Sequence, residues 1–268
     1  MIAWINASII QGSVVFPPSY VVAASDLLPK QKQNAMTKFA DDTYLLVGSR
    51  SVDTVTDEVD NIRNWAAASN MLIHPSKTKE LIVYRGRNRH LPESASPLIA
   101  GAERVSSLRV LVVLLNSKLA MTEHIIAILS TCSSSTYTLR LLRSRGLQPQ
   151  ELHLVARATT VVSILYAALA WWGFAGEGDH HRMERLVTRL RQSGYLPPDF
   201  PDLATLVENV DTKLFNSIRH NILRHYLRDK PVPVRSLRAK AHNFVIPHKD
   251  NRNFVSKALY EALCPSNC

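Results

Sequence analysis

The sequence predicts an α+β fold, and three observations carry that expectation. First, Lys38-Phe39-Ala40-Asp41-Asp42-Thr43-Tyr44-Leu45-Leu46-Val47 sets two adjacent carboxylates between short apolar runs. That is the pattern of a strand–turn–strand hairpin, expected over residues 36–47. Second, Val52, Val55, Val59, Ile62 and Ala66 step at intervals of three and four, which is one face of an amphipathic helix. Third, Leu108 to Leu115 is apolar and β-branched between polar flanks, as in a buried strand. The order hairpin, helix, strand, strand suits a sheet with packed helices.

The remaining elements follow from local signals. Pro17-Pro18 is expected to stop any helix, and residues 20–28 to form one. Ser51 is expected to cap the amphipathic helix and Asn70 to end it. Pro75-Ser76 reads as a turn and Glu80 to Tyr84 as a strand, followed by a basic loop from Arg85 to Pro97. From Thr122 the chain turns helical, broken by Gly146 and Pro149. An uncharged run from Ala158 to Ala175 reads as one apolar helix, and its length is at the lower limit for spanning a membrane. Its periodicity continues from Leu152 and Val155, so a buried helix is favoured over a membrane span. Helices are expected near residues 179–192 and 205–228, and the end of the chain reads as basic and irregular.

Composition narrows the partners. The chain has 268 residues, 46% of them hydrophobic, and a formal charge of +10. From Lys213 to Lys257 eleven Lys/Arg face two acids, Asp229 and Asp250, so this segment holds most of the positive excess. Nucleic acid is the natural polyanion for such a segment, through phosphate contacts that release counterions; a solvated basic tail is the bland alternative. Three cysteines without metal-ligand spacing argue against a disulfide scaffold and for a reducing, intracellular compartment. The Met1-Ile2-Ala3-Trp4 start lacks the basic region of a secretory signal.

Asp41 and Asp42 are the candidate metal ligands. Two such close carboxylates repel unless a cation shares them. Mg²⁺ is commonly held by one or two carboxylates plus substrate phosphates. An ordinary Asp-Asp turn is the competing reading.

Phe39-Ala40-Asp41-Asp42 resembles the [FY]-x-D-D motif of reverse transcriptases, and the flanks resemble the non-LTR (LINE, jockey-like) retrotransposon branch. Ile10-Gln11-Gly12-Ser13-Val14-Val15-Phe16-Pro17 resembles its Q-G-S-x-x-G-P segment. Trp65 with Asn70-Met71-Leu72-Ile73-His74-Pro75-Ser76-Lys77-Thr78-Lys79 resembles its W-x(n)-L-x-x-N-P-x-K-T segment. Ser107 to Leu115 resembles its L-x-x-L-G-x-x-L strand, and Tyr166 with Trp171 resembles part of its thumb. The resemblance implies a partial polymerase palm over residues 1–121, a helical thumb-like region over 122–230 and a basic tail over 231–268. It implies RNA-directed DNA polymerase activity with Mg²⁺, on an RNA template, a DNA primer and a dNTP. Asp41 would be a direct ligand and Asp42 the weaker one, and Phe39 would pack beside the nucleotide. Gln11, Gly12 and Ser13 would position template and nucleotide. Lys77 would meet the leaving pyrophosphate, unless it is a solvated surface lysine.

The chain departs from the pattern at Phe16 and Val112, where the family has glycine, and at His74, where it has asparagine. No acid precedes Asp26, so the family's upstream catalytic carboxylate is not matched. A truncated, inactive polymerase fragment is therefore the expectation, with a non-catalytic basic nucleic-acid-binding remnant as the alternative. Trp65 reads as core, His180-His181 as a surface pair, and Arg140, Arg143 and Arg145 as either backbone-tracking or helix-capping cations.

Overall fold

The computed structural model describes Val14 and residues 16–84, 99–218, 224, 227, 244–245, 250 and 252–261. Its architecture is α+β, dominated by helices, and its described strands form three two-stranded sheets. The chain divides into two compact units, Met1–Leu108 and Arg109–Cys268.

The first unit opens with α1 (Phe16–Ala23). Pro17 and Pro18 begin this helix instead of stopping it. In a first turn the missing N–H has no intrahelical partner to lose, and proline's fixed φ suits the helix. Strands β1 (Ala35–Phe39) and β2 (Asp42–Leu46) pair antiparallel, with Phe39 opposite Asp42. A 3₁₀ turn, Ser49–Thr54, then leads into α2 (Val55–Ala68). Ser51 therefore does not cap the helix: it is buried inside the 3₁₀ turn, where its carbonyl accepts the Thr54 hydroxyl at 2.7 Å. Asn70 does end α2, at φ 53°. The amide of Met71 reaches back to the Ala66 carbonyl and that of Asn70 to Ala67, which is the Schellman arrangement.

Beyond α2 lie a 3₁₀ turn, Pro75–Lys77, and β3 (Lys79–Leu81), which runs parallel to β4 (Glu103–Val105). The strand is shorter than the expected 80–84, and the basic loop lies outside the described residues. The described buried apolar set of this unit is small: Ala24, Leu27, Val55 and Ala66. Trp65 is only half-buried, and its indole N–H donates to Asp26 Oδ1 at 2.9 Å.

The single strand expected over 108–115 is a hairpin instead. Strands β5 (Ser107–Val110) and β6 (Val113–Asn116) pair around Leu111 and Val112, whose φ values are 46° and 83°. An apolar run gives no local sign of such a turn, because left-handed backbone is costly for branched residues.

The second unit is helical, and Val113 of β6 is buried in its core. Helix α3 (Thr122–Ser144) ends at Gly146, φ 90°, and Pro149 starts α4 (Pro149–Ala156) behind a Gln148/Glu151 capping box. The apolar run then breaks up. A π-helical turn, Arg157–Val161, precedes α5 (Val162–Leu165), left-handed Ala167 intervenes, and α6 (Ala168–Trp171) follows. One continuous helix over 158–175 is thus not formed. The Trp171 indole donates to the Tyr166 carbonyl at 3.0 Å, using the acceptor the kink leaves open. By length and composition alone, Thr122–Ser144 and Pro149–Phe174 could each cross a membrane. Here Ile125, Ile128, Cys132 and Leu139 of the first, and Leu152, Ala156, Val161, Ile164, Ala168 and Trp171 of the second, form the core with Met183 and Leu190.

Helices α7 (Glu177–Gln192) and α8 (Leu203–Ile218) complete the bundle, and most of the remainder of the helix expected to reach Arg228 lies outside the described residues. The end of the chain is not wholly irregular: Phe254–Glu261 forms α9. Its Phe254, Val255, Ala258 and Leu259 supply an apolar face that packs with Phe215 and Ile218.

Candidate metal-facing hairpin

The acidic pair stands at the tip of the β1–β2 ribbon. Ala40 and Asp41 are the two residues between the strands, and Asp42 opens β2. Ala40 takes φ 48°, the left-handed conformation that tight two-residue hairpin loops require. Asp41 and Asp42 are both exposed, as is Phe39. The Tyr44 hydroxyl donates to Asp42 Oδ2 at 3.3 Å. The Asp41 side chain makes no hydrogen bond or ion pair among the described residues, and the residue is exposed. Its charge is nevertheless felt nearby: burial, and then the Asp41 carboxylate, raise the Tyr20 phenol above its ordinary range.

The donor chemistry suits a hard cation in part. Two carboxylates can supply two oxygens to Mg²⁺, whose shell otherwise fills with water or phosphate oxygens. Among the described residues, no group of three or more His, Cys, Asp or Glu side chains is placed to hold a metal. The pair would therefore hold an ion that arrives with its own phosphate ligands more readily than a free one.

The ribbon is fixed from behind by groups that the motif does not contain. Glu58 of α2 is fully buried. Its Oε2 accepts the Lys30 amide at 2.8 Å, and its Oε1 accepts the Gln31 amide at 2.8 Å and Asn34 Nδ2 at 2.9 Å. Burial alone would raise its pKa, but the hydrogen bonds from Asn34, Lys30 and Gln31 outweigh it and hold the carboxyl below its usual value. These donors lie in the loop that ends one residue before β1, so Glu58 sets where the ribbon begins. Lys38 of β1 donates to the carbonyls of Ala24 and Leu27, the latter at 2.7 Å. Its cation thereby satisfies the carbonyl end of α1, where a positive charge is favourable. Sequence carried one signal for Glu58: it lies three residues after Val55 and four before Ile62, in phase with the apolar stripe.

The other candidate residues are scattered. Lys77 is exposed in the Pro75–Lys77 turn and makes no side-chain hydrogen bond or ion pair among the described residues. Gln11, Gly12 and Ser13 lie outside the described residues, as does most of the basic segment. His181 is exposed, whereas His180 stacks on Trp172 with ring centroids 4.3 Å apart. Arg143 donates to the Ser193 carbonyl at 2.9 Å and lies over the Tyr195 ring, which makes it a bracing group; Arg140 is exposed. Comparison of the chain with family models, curated proteins and solved structures gives no match.

Proposed function

We propose that this chain belongs to the polymerase apparatus of a non-LTR-type reverse transcriptase, with Asp41 and Asp42 facing a dNTP-bound Mg²⁺. The observation that carries the reading is the exposed acidic pair at a tight β-ribbon tip, separated from an exposed Phe39 by Ala40 alone. A second observation supports it. The family pattern has glycine where this chain has Val112, and the backbone there takes φ 83°, a conformation glycine adopts freely.

The ancestral reaction is nucleotidyl transfer: a primer 3′-oxygen bonds to the α-phosphorus of a dNTP and pyrophosphate leaves. Mg²⁺ would supply charge neutralisation on the phosphates. The chain's own part is to hold two anionic oxygens at a fixed spacing on a stiff ribbon. Phe39 offers an apolar face beside them, and Glu58 and Lys38 anchor the ribbon.

The pair is not joined by a third ligand among the described residues, so the chain by itself is expected to give no primer extension with Mg²⁺. Robust synthesis abolished by Asp41→Asn would overturn that expectation. The wider reading is tested by NMR titration with dTTP and Mg²⁺ together. Shifts at Asp41 and Asp42, lost in Asp41→Asn, support it, and unmoved resonances sink it. Salt-sensitive RNA binding that survives Asp41→Asn, combined with unmoved resonances, would leave the basic-binder reading based on the Lys213–Lys257 charge.

A further inference from the structure

A cavity of about 250 Å³ in the helical unit is lined by Trp172, His180, Asp211, Arg252, Phe254 and Lys257, among others. One of its walls is the C-terminal segment Arg252–Glu261. That segment is attached in three ways. The Arg252 backbone lies so close to Gly173 that a Cβ on Gly173 would fall 2.6 Å from the Arg252 carbonyl oxygen and 2.7 Å from its Cα. Lys257 Nζ pairs with the buried Asp211 of α8, at 3.4 Å from Oδ2. Ala258 and Leu259 are buried with Phe215 and Ile218 in an apolar cluster separate from the main helical core. Asn253 starts the helix cleanly, its Oδ1 accepting the Ser256 amide at 3.2 Å.

We propose that Arg252–Glu261 is a latched strap that forms one wall of the Trp172/His180 cavity and opens as its own cooperative unit while the main core stays folded. Elements with a small, separate apolar cluster open below the global unfolding free energy. The latch has two independent contacts, the glycine seat at 173 and the Asp211–Lys257 pair. Gly173 is what lets the strap backbone reach the bundle, and any side chain there must displace it. Opening removes Arg252, Phe254 and Lys257 from the wall they share with Trp172 and His180.

Hydrogen exchange of the full chain, read by mass spectrometry, tests this. In the native protein, peptides within 252–261 are expected to exchange faster than peptides of α3 and α7, yet slower than an unstructured chain. Lys257→Met leaves the buried Asp211 without its cation and is expected to speed strap exchange roughly tenfold or more, with α3 and α7 unchanged. Gly173→Ala is expected to do the same through an unrelated contact, and acrylamide quenching of tryptophan should rise in both variants. Exchange of 252–261 in step with α7 would make the strap ordinary core and overturn the proposal. So would unprotected exchange in the native chain, or no response to Lys257→Met. If Gly173→Ala fails to fold, the Lys257→Met arm decides.

Discussion

Replacing Glu58 with alanine should release the acidic ribbon. The variant removes a fully buried carboxylate and leaves three donors, the amides of Lys30 and Gln31 and Asn34 Nδ2, without their acceptor. Hydrogen bonds to a charged acceptor contribute about 1.5–3 kcal/mol each, and an unpaired buried donor costs about 1–3 kcal/mol. Part of that is recovered by water, since the two amides are only partly buried. A loss of about 3–5 kcal/mol to the first unit is therefore expected. With its small described apolar set, that is enough to unfold the segment locally. Hydrogen exchange of peptides spanning 30–46 gives the readout, and these peptides should lose most of their protection while α3 keeps its own. Glu58→Gln retains one acceptor and should fall between. Acid supplies a second arm. The folded carboxyl titrates below its ordinary value of 4.5, so its stabilisation is complete above that pH and disappears as pH falls toward the lower folded value. Protection of 30–46 that is unchanged in Glu58→Ala, or that falls instead near neutrality, would refute the reasoning.

Three further outcomes follow from the described geometry. His124 is buried edge-on to Trp171, and burial, then the Arg109 charge, hold its pKa below 6.5. The helical unit should therefore lose stability as pH drops below about 6.5, and urea midpoints for His124→Gln should show a flatter pH slope. Val112 is exposed at φ 83°. Val112→Gly should stabilise the chain by about 1 kcal/mol, strain relief of about 1–2 kcal/mol less glycine's added entropy cost, which a rise in urea midpoint would register. Cys132 is buried and its thiol is pushed up to about 11, so peptide mapping after thiol labelling at pH 8 should find it modified only under unfolding conditions.

Much of the fold follows from short-range pattern. The hairpin at 35–46, α2 and its Asn70 terminus, and the α3–Gly146–Pro149 boundary arise from alternation, three–four periodicity and end residues, all local in the chain. The misread elements share another cause. Leu111-Val112 turns although both residues are apolar, and Pro17-Pro18 begins a helix although the same residues end others. Ala167 breaks an uncharged run because packing of Trp171 and Ala168 into the core outweighs one left-handed residue.

By itself the sequence determined an α+β chain with a basic C-terminal region and a carboxylate pair poised on a β-turn, because charge, period and turn preference act within a few residues. Only the tertiary structure decided that Glu58 and Lys38 anchor that turn, that Lys77 remains exposed with no described side-chain partner, and that the Arg252 backbone, just before α9, packs on Gly173. Those outcomes depend on which distant surfaces meet, and desolvation and close packing act on that meeting, whatever the spacing along the chain.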